Sequence, residues 1–170
     1  MPEAINPMFM SNSRAYEPQR NNHFEVRILG VPGAREITLA VAEFGLPNIT
    51  TSPTTIARGN FNVKFAGQAD FTGMDSMTVV DFIGIDMEKI IKGWSDLVFN
   101  PETGLIGWAA DYKKDGVVME HGPDGDAKRS WKVHGMWPSG VDFGSSLSYD
   151  GGEVKRITIQ IAYDQAYRMD

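Results

Sequence analysis

The sequence predicts a mainly β protein with one flanking α-helix, and three observations carry that reading. Near the C-terminus Ile157, Ile159, Ile161 and Tyr163 fall on one face of an alternating run, while Arg156, Thr158 and Gln160 fall on the other. Period two with β-branched residues marks a strand buried on one side. The same period recurs in residues 24–28 and 61–65. Helical spacing is convincing only across residues 86–99, where Met87, Ile90, Ile91, Trp94 and Leu97 form a stripe at intervals of three and four.

Residues 1–22 read as a flexible arm ahead of one domain spanning residues 23–170. The arm holds Pro2, Pro7 and Pro18, and its apolar cluster is Met8-Phe9-Met10. Two readings stand: a disordered tail, or a tail that orders on a neighbour with Phe9 as anchor. The first strand is expected over residues 24–28. Val31-Pro32-Gly33-Ala34 is a turn signal, and residues 36–44 read as a second strand with Ile37, Leu39 and Val41 inward, closing a hairpin.

Residues 45–60 break the pattern. With Pro47, Pro53 and a series of threonines they read as a long loop, and loops of this length in compact domains are functional or disordered. Ile49 and Ile56 on a polar excursion point to contact outside the subunit, with an ordinary surface loop as the alternative. Residues 61–65 resume as a strand, and residues 66–74 form a connection. Residues 76–85 form a more continuous apolar strand, expected to be covered on both faces. Asp81 inside it needs a partner if buried. An edge position suits it better than a catalytic role.

Asp86 is placed to cap the helix, and Pro101 lies just beyond its end. Such a stripe is core packing that covers one face of the sheet. After a mixed segment over residues 102–115, residues 117–121 and 129–131 flank an acidic hairpin tip at Asp124-Gly125-Asp126. The later carboxylates of a calcium loop are missing, so the tip reads as a turn. Trp131 and Val133 face inward, opposite Lys132 and His134, and Trp137-Pro138 is expected to stop that strand. Asp150-Gly151-Gly152 reads as a hairpin turn before the last strand.

The totals narrow the function. A chain of 170 residues supports one domain with a real core, and 42% hydrophobic against 22% charged residues fits a soluble globular protein. The formal net charge of −6 argues against gripping nucleic acid, which requires a basic patch, but not against a surface that nucleic acid slides past. With no cysteine there is neither a disulfide framework nor a thiolate metal site. His23, His121 and His134 show no ligand spacing. The N-terminus lacks a secretory pattern and no stretch reaches membrane-spanning length, so folding in a cytosol is expected.

No nucleophile elbow, phosphate-cradling loop, dinucleotide fingerprint or assignable carboxylate pair is present, so the sequence predicts no enzyme and no cofactor. Four tryptophans and nine phenylalanines raise a second option, a ligand-binding sandwich. Trp94 and Trp131 are instead assigned to the core with Ile157, Ile159 and Ile161. About seven short strands and one helix leave sheet edges hard to cover, and such edges are either blunted or used to close a barrel across subunits.

In order along the chain, several stretches resemble the tail tube proteins of contractile-tailed bacteriophages. These are Asn22-His23-Phe24-Glu25-Val26, then Gly45-Leu46-Pro47 with the polar excursion, then Phe61-Asn62-Val63-Lys64-Phe65-Ala66-Gly67. Tyr112-Lys113-Lys114 and Gly135-Met136-Trp137-Pro138-Ser139 complete the series. The resemblance covers roughly residues 22–170 and rests on shared order, since each motif is short.

It implies a β-sandwich or half-barrel with a flanking helix. Subunits of this family form hexameric rings that stack into a tube, part of the virion, through which DNA leaves the capsid without specific binding. The implied ring interface comprises Leu46, Pro47, Asn48, Ile49, Thr50, Thr51, Ser52, Pro53, Thr54, Thr55, Ile56 and Arg58, with Phe9 on the N-terminal arm. Implied partners are other copies of the chain, the tail sheath protein, the tape measure protein, the baseplate or tube initiator, and the tail terminator. Close alternatives are the tube of a phage-derived contractile injection or secretion system, and an initiator or terminator subunit. From another class, a monomeric ligand-binding β-sandwich stays open, with a hydrolase third.

Overall fold

The computed structural model describes residues 17–71, 75–144 and 147–169. The expectation for Phe9 lies outside the described residues. Strands β1 (Phe24–Ile28), β8 (Lys114–His121), β9 (Ala127–Asp142), β10 (Arg156–Ala162), β5 (Asp75–Val80) and β2 (Val41–Phe44) follow one another across a single antiparallel sheet, and β11 (Gln165–Met169) adds to β9. The 16-residue β9 organises the whole. Its residues 130–134 pair with β11, and residues 137–142 pair with β10. A strand that changes partners in this way turns the corner between two layers.

The corner has its own chemistry. Gly135 has φ +68, and a Cβ there would run into the Asp164 carboxylate. Lys113 holds that carboxylate at 2.7 Å, and the Asp164 N–H donates to the His134 carbonyl at 3.0 Å. On the other side, the Asp115 carboxylate accepts from the Gly135 N–H at 3.2 Å and meets His134 Nδ1 at 2.9 Å. The expected stop at Trp137-Pro138 does not occur. Register shifts between Gln160 and Ile161, so Ser139 bulges out and its hydroxyl donates to the Gln160 carbonyl at 3.1 Å. A bulge is where a sheet tolerates proline. The chain also continues past β10 into β11, a strand the alternation did not announce.

The two inner faces share one core. Ile157, Ile159 and Ile161 of β10 are fully buried against Met77 and Val79 of β5, Val26 and Ile28 of β1, Val118 of β8 and Met136 of β9. Trp131 packs against this core while half-buried.

The expected hairpin of the first two strands is replaced by α1 (Ala34–Ala40), which opens at the left-handed Gly33. Ile37 and Ala40, three apart, are buried, whereas Leu39 is 71% exposed. The apolar run satisfied both periods, and the helix won because only the i, i+3 pair faces the core. Strand β2 then pairs with β5 rather than β1. Helix α1 packs on β1 where β1 approaches β2, filling the seam between the outermost strands.

The anticipated helix is α2 (Met87–Val98), and the Asp86 carboxylate caps it by accepting from the Lys89 N–H at 2.9 Å. Met87, Ile91 and Trp94 are buried, and α2 packs against β9. The Trp94 indole donates to the Tyr112 carbonyl at 3.0 Å, locking α2 to the short α3 (Ala109–Tyr112). Strands β6 (Phe99–Asn100) and β7 (Leu105–Ile106) make a small separate hairpin. Asp81, just past the end of β5, is half-buried and 3.4 Å from Lys155, which also holds Glu88 at 2.7 Å.

Candidate assembly site

Residues 45–60, expected as a loop, are for the most part a strand. β3 (Thr50–Arg58) and β4 (Phe61–Asp70) pair with each other and, among the described residues, with no other strand, forming an antiparallel arm between β2 and β5. Arg58 and Phe61 are direct partners, so the tip is the two-residue turn Gly59-Asn60, with Gly59 at φ +59. Strand β4 runs on to Asp70 through much of the expected connection.

The register gives the arm two unlike faces. Direct cross-strand partners share a face, as do residues two apart. Thr54 and Phe65, Ile56 and Val63, and Arg58 and Phe61 are therefore together on one side. Thr55 and Lys64, and Ala57 and Asn62, occupy the other. Phe61 is 78% and Phe65 55% exposed. Residues 61–65 thus alternate as a core strand would, yet among the described residues both faces of the arm meet solvent.

A bulge between Thr51 and Pro53 breaks the ladder near the root and accommodates the proline. Gly67 lies opposite, and a Cβ on it would run into the Ser52 carbonyl oxygen. The root is better held than the shaft. Gly45 N–H donates to the Ser76 carbonyl at 3.0 Å, and Asn48 N–H donates to the Tyr163 phenol oxygen at 3.1 Å. The Phe71 ring meets the Tyr163 ring edge-on at 6.1 Å.

Of the interface residues named from sequence, Leu46, Pro47, Asn48 and Ile49 form the root, and Thr50, Thr51, Ser52, Pro53, Thr54, Thr55, Ile56 and Arg58 lie on β3. Sequence reasoning missed Phe61, Val63 and Phe65, which face the same way as Ile56, and the Tyr163–Phe71 anchor. The signal was the alternation in β4, read as burial within the subunit.

The Asp124 turn is tied by Lys128 at 2.6 Å. Among the described residues no three His, Asp or Glu side chains gather as a metal site, and no helix is long and apolar enough to cross a membrane.

No family model and no curated protein matches the sequence. Solved structures do match. A chain of the sheath–tube complex of PVC, an extracellular contractile injection system, aligns at TM-score 0.69 and 13% identity, covering 98% of this chain and 99% of that one. A chain of the PVC sheath/tube terminator gives 0.69 at 14% identity over 91% and 98%. A chain of the anti-feeding prophage tube-terminating cap gives 0.68 at 14% identity over 90% and 91%. The fold is that of contractile-injection tube and terminator chains. On this fold, the β3–β4 arm is exposed along nearly its whole length.

Proposed function

We propose that this protein is a structural subunit of a contractile tail tube, which assembles into stacked rings through its β3–β4 arm. The observation that carries this reading is the arm itself, a two-stranded ribbon with one apolar face left in water on a tube fold. Such a hairpin is marginal alone and gains stability when another surface covers it. Near-complete mutual coverage with a chain from a sheath–tube complex supports the main tube subunit, with a terminator as the close alternative. The sequence resemblance favours a bacteriophage tail, placing the protein in the virion with sheath outside and tape measure protein within. The tube of a phage-derived injection system is the alternative. A net charge of −6 suits a conduit that passes DNA without holding it.

Negative-stain microscopy across a concentration series tests the proposal. Rings or tubes with a central channel are expected, and tubes should disappear when residues 50–55 are deleted although the subunits stay folded. A protein that remains monomeric at every concentration, even with its baseplate components added, would favour the ligand-binding sandwich.

A further inference from the structure

We infer that the apolar face of the arm seats in the groove between β1 and α1 of a second copy of this chain. The inference rests on the tube reading and names the surface that receives the arm. Ile56, Phe61, Val63 and Phe65 leave on the order of 400 Å² of apolar side chain in water, the size at which an exposed patch marks an interaction site.

The groove is about 380 Å³ and lies along the seam that α1 fills. Leu29 at the end of β1 and Leu39 on α1 wall it, and both are more than half exposed. Arg27 and Arg35 also line it. Arg27 is held by Glu25 at 2.6 Å, while Arg35 has no ion-pair partner among the described residues. Leucine walls and the Arg35 guanidinium suit an inserted aromatic ring, and Glu25 on the same rim offers an opposite charge to Arg58, which shares the inserted face. Phe61, nearest the arm's tip, supplies that ring.

Among the described residues nothing covers the arm or the groove, and each copy carries one of each. Joining the arm of one copy to the groove of the next is a heterologous contact, which closes into a ring or runs on as a filament. An arm-on-arm contact would instead stop at a pair.

The absence of native cysteine makes the test clean. Phe61→Cys and Leu39→Cys, both at exposed positions, are prepared separately, mixed under assembly conditions and oxidised. Reducible dimers are expected from the mixture and not from either variant alone, and the doubly substituted chain should give a ladder of higher covalent oligomers. Self-crosslinking of Phe61→Cys alone overturns the inference in favour of arm-on-arm pairing. Tubes visible by microscopy without any 61–39 crosslink overturn the groove assignment and leave the tube reading intact. Absence of both crosslink and assembly at every concentration overturns both. As an independent measure, Leu39→Asp should leave the thermal melt in place and raise the assembly threshold at least about tenfold, the loss expected for one hot-spot contact.

Discussion

The Asn48 backbone N–H and the Tyr163 phenol oxygen meet at 3.1 Å, although 115 positions separate them in sequence. Tyr163 directly follows β10, the strand with three fully buried isoleucines. The root of the arm is therefore fastened beside a fully buried part of the core, while among the described residues the shaft makes no strand pairing outside itself. A firm root fixes the direction in which the arm leaves, and an uncovered shaft leaves its apolar face available to another chain.

Tyr163→Phe isolates that fastening. The ring contact with Phe71 survives and the hydrogen bond to Asn48 is lost, so stability should fall by about 1 kcal/mol. Amide exchange at Asn48 should accelerate more than exchange within β10. Unchanged exchange at Asn48 would show that the phenol does not hold the root.

Gly67→Ala separates the arm from the fold. A Cβ at this position meets the Ser52 carbonyl at the bulge, so the two strands must part there. Far-ultraviolet circular dichroism should show a melt displaced by only a few degrees, because the arm contributes little to the core, and microscopy should show lost tubes. A collapse of the melt would mean that the arm supports the body.

Ile159→Ala tests the core directly. Ile159 is fully buried and pairs with Met77 on β5 and Val141 on β9, so urea unfolding should show a loss of about 2–5 kcal/mol. Thr158→Ala, on the opposite face of the same strand, should cost less than about 1 kcal/mol. Equal losses would remove the inside–outside assignment of β10.

Asp115 gives the corner an acid limit. Burial pushes its carboxyl up, but the Gly135 N–H, the His134 ring and the positive charge of Lys132 outweigh this and hold it below the usual aspartate value of 3.8. A carboxylate with a depressed folded value contributes stability above its unfolded value and loses it as pH falls through the folded one. Unfolding measured between about pH 5 and 2 should therefore show a steeper acid loss for the parent than for Asp115→Asn, with the two profiles parallel near neutrality. Identical acid slopes would mean that Asp115 gains nothing from these partners.

The sequence was legible where one period and one burial pattern agreed. Residues 24–28 and 156–162 alternate and have a covered face, and Asp86 with the stripe of Met87, Ile91 and Trp94 announces a capped helix. Residues 34–40 failed because Ile37, Leu39 and Val41 alternate while Ile37 and Ala40 also sit one helical turn apart. Left-handed Gly33 and Glu36 in the first turn favoured the helix, and only the packing against β1 decided it. Proline at position 138 hid the length of β9, since a bulge cannot be read from composition. The arm was the harder case. Alternation reports a buried face without saying whose atoms bury it, and the apolar stripe depends on the register that puts Ile56 opposite Val63.

Strand β9 has a mechanical consequence. It is flanked by β8 on one side and by β11 and then β10 on the other, so a pull along its axis loads several hydrogen-bond ladders in shear at once. The arm has a single ladder, and a pull at its Gly59-Asn60 tip peels one pair after another. The body thus resists force in parallel and the arm yields in series. Under load the chain should give way first in the arm, sparing the sheet built around β9.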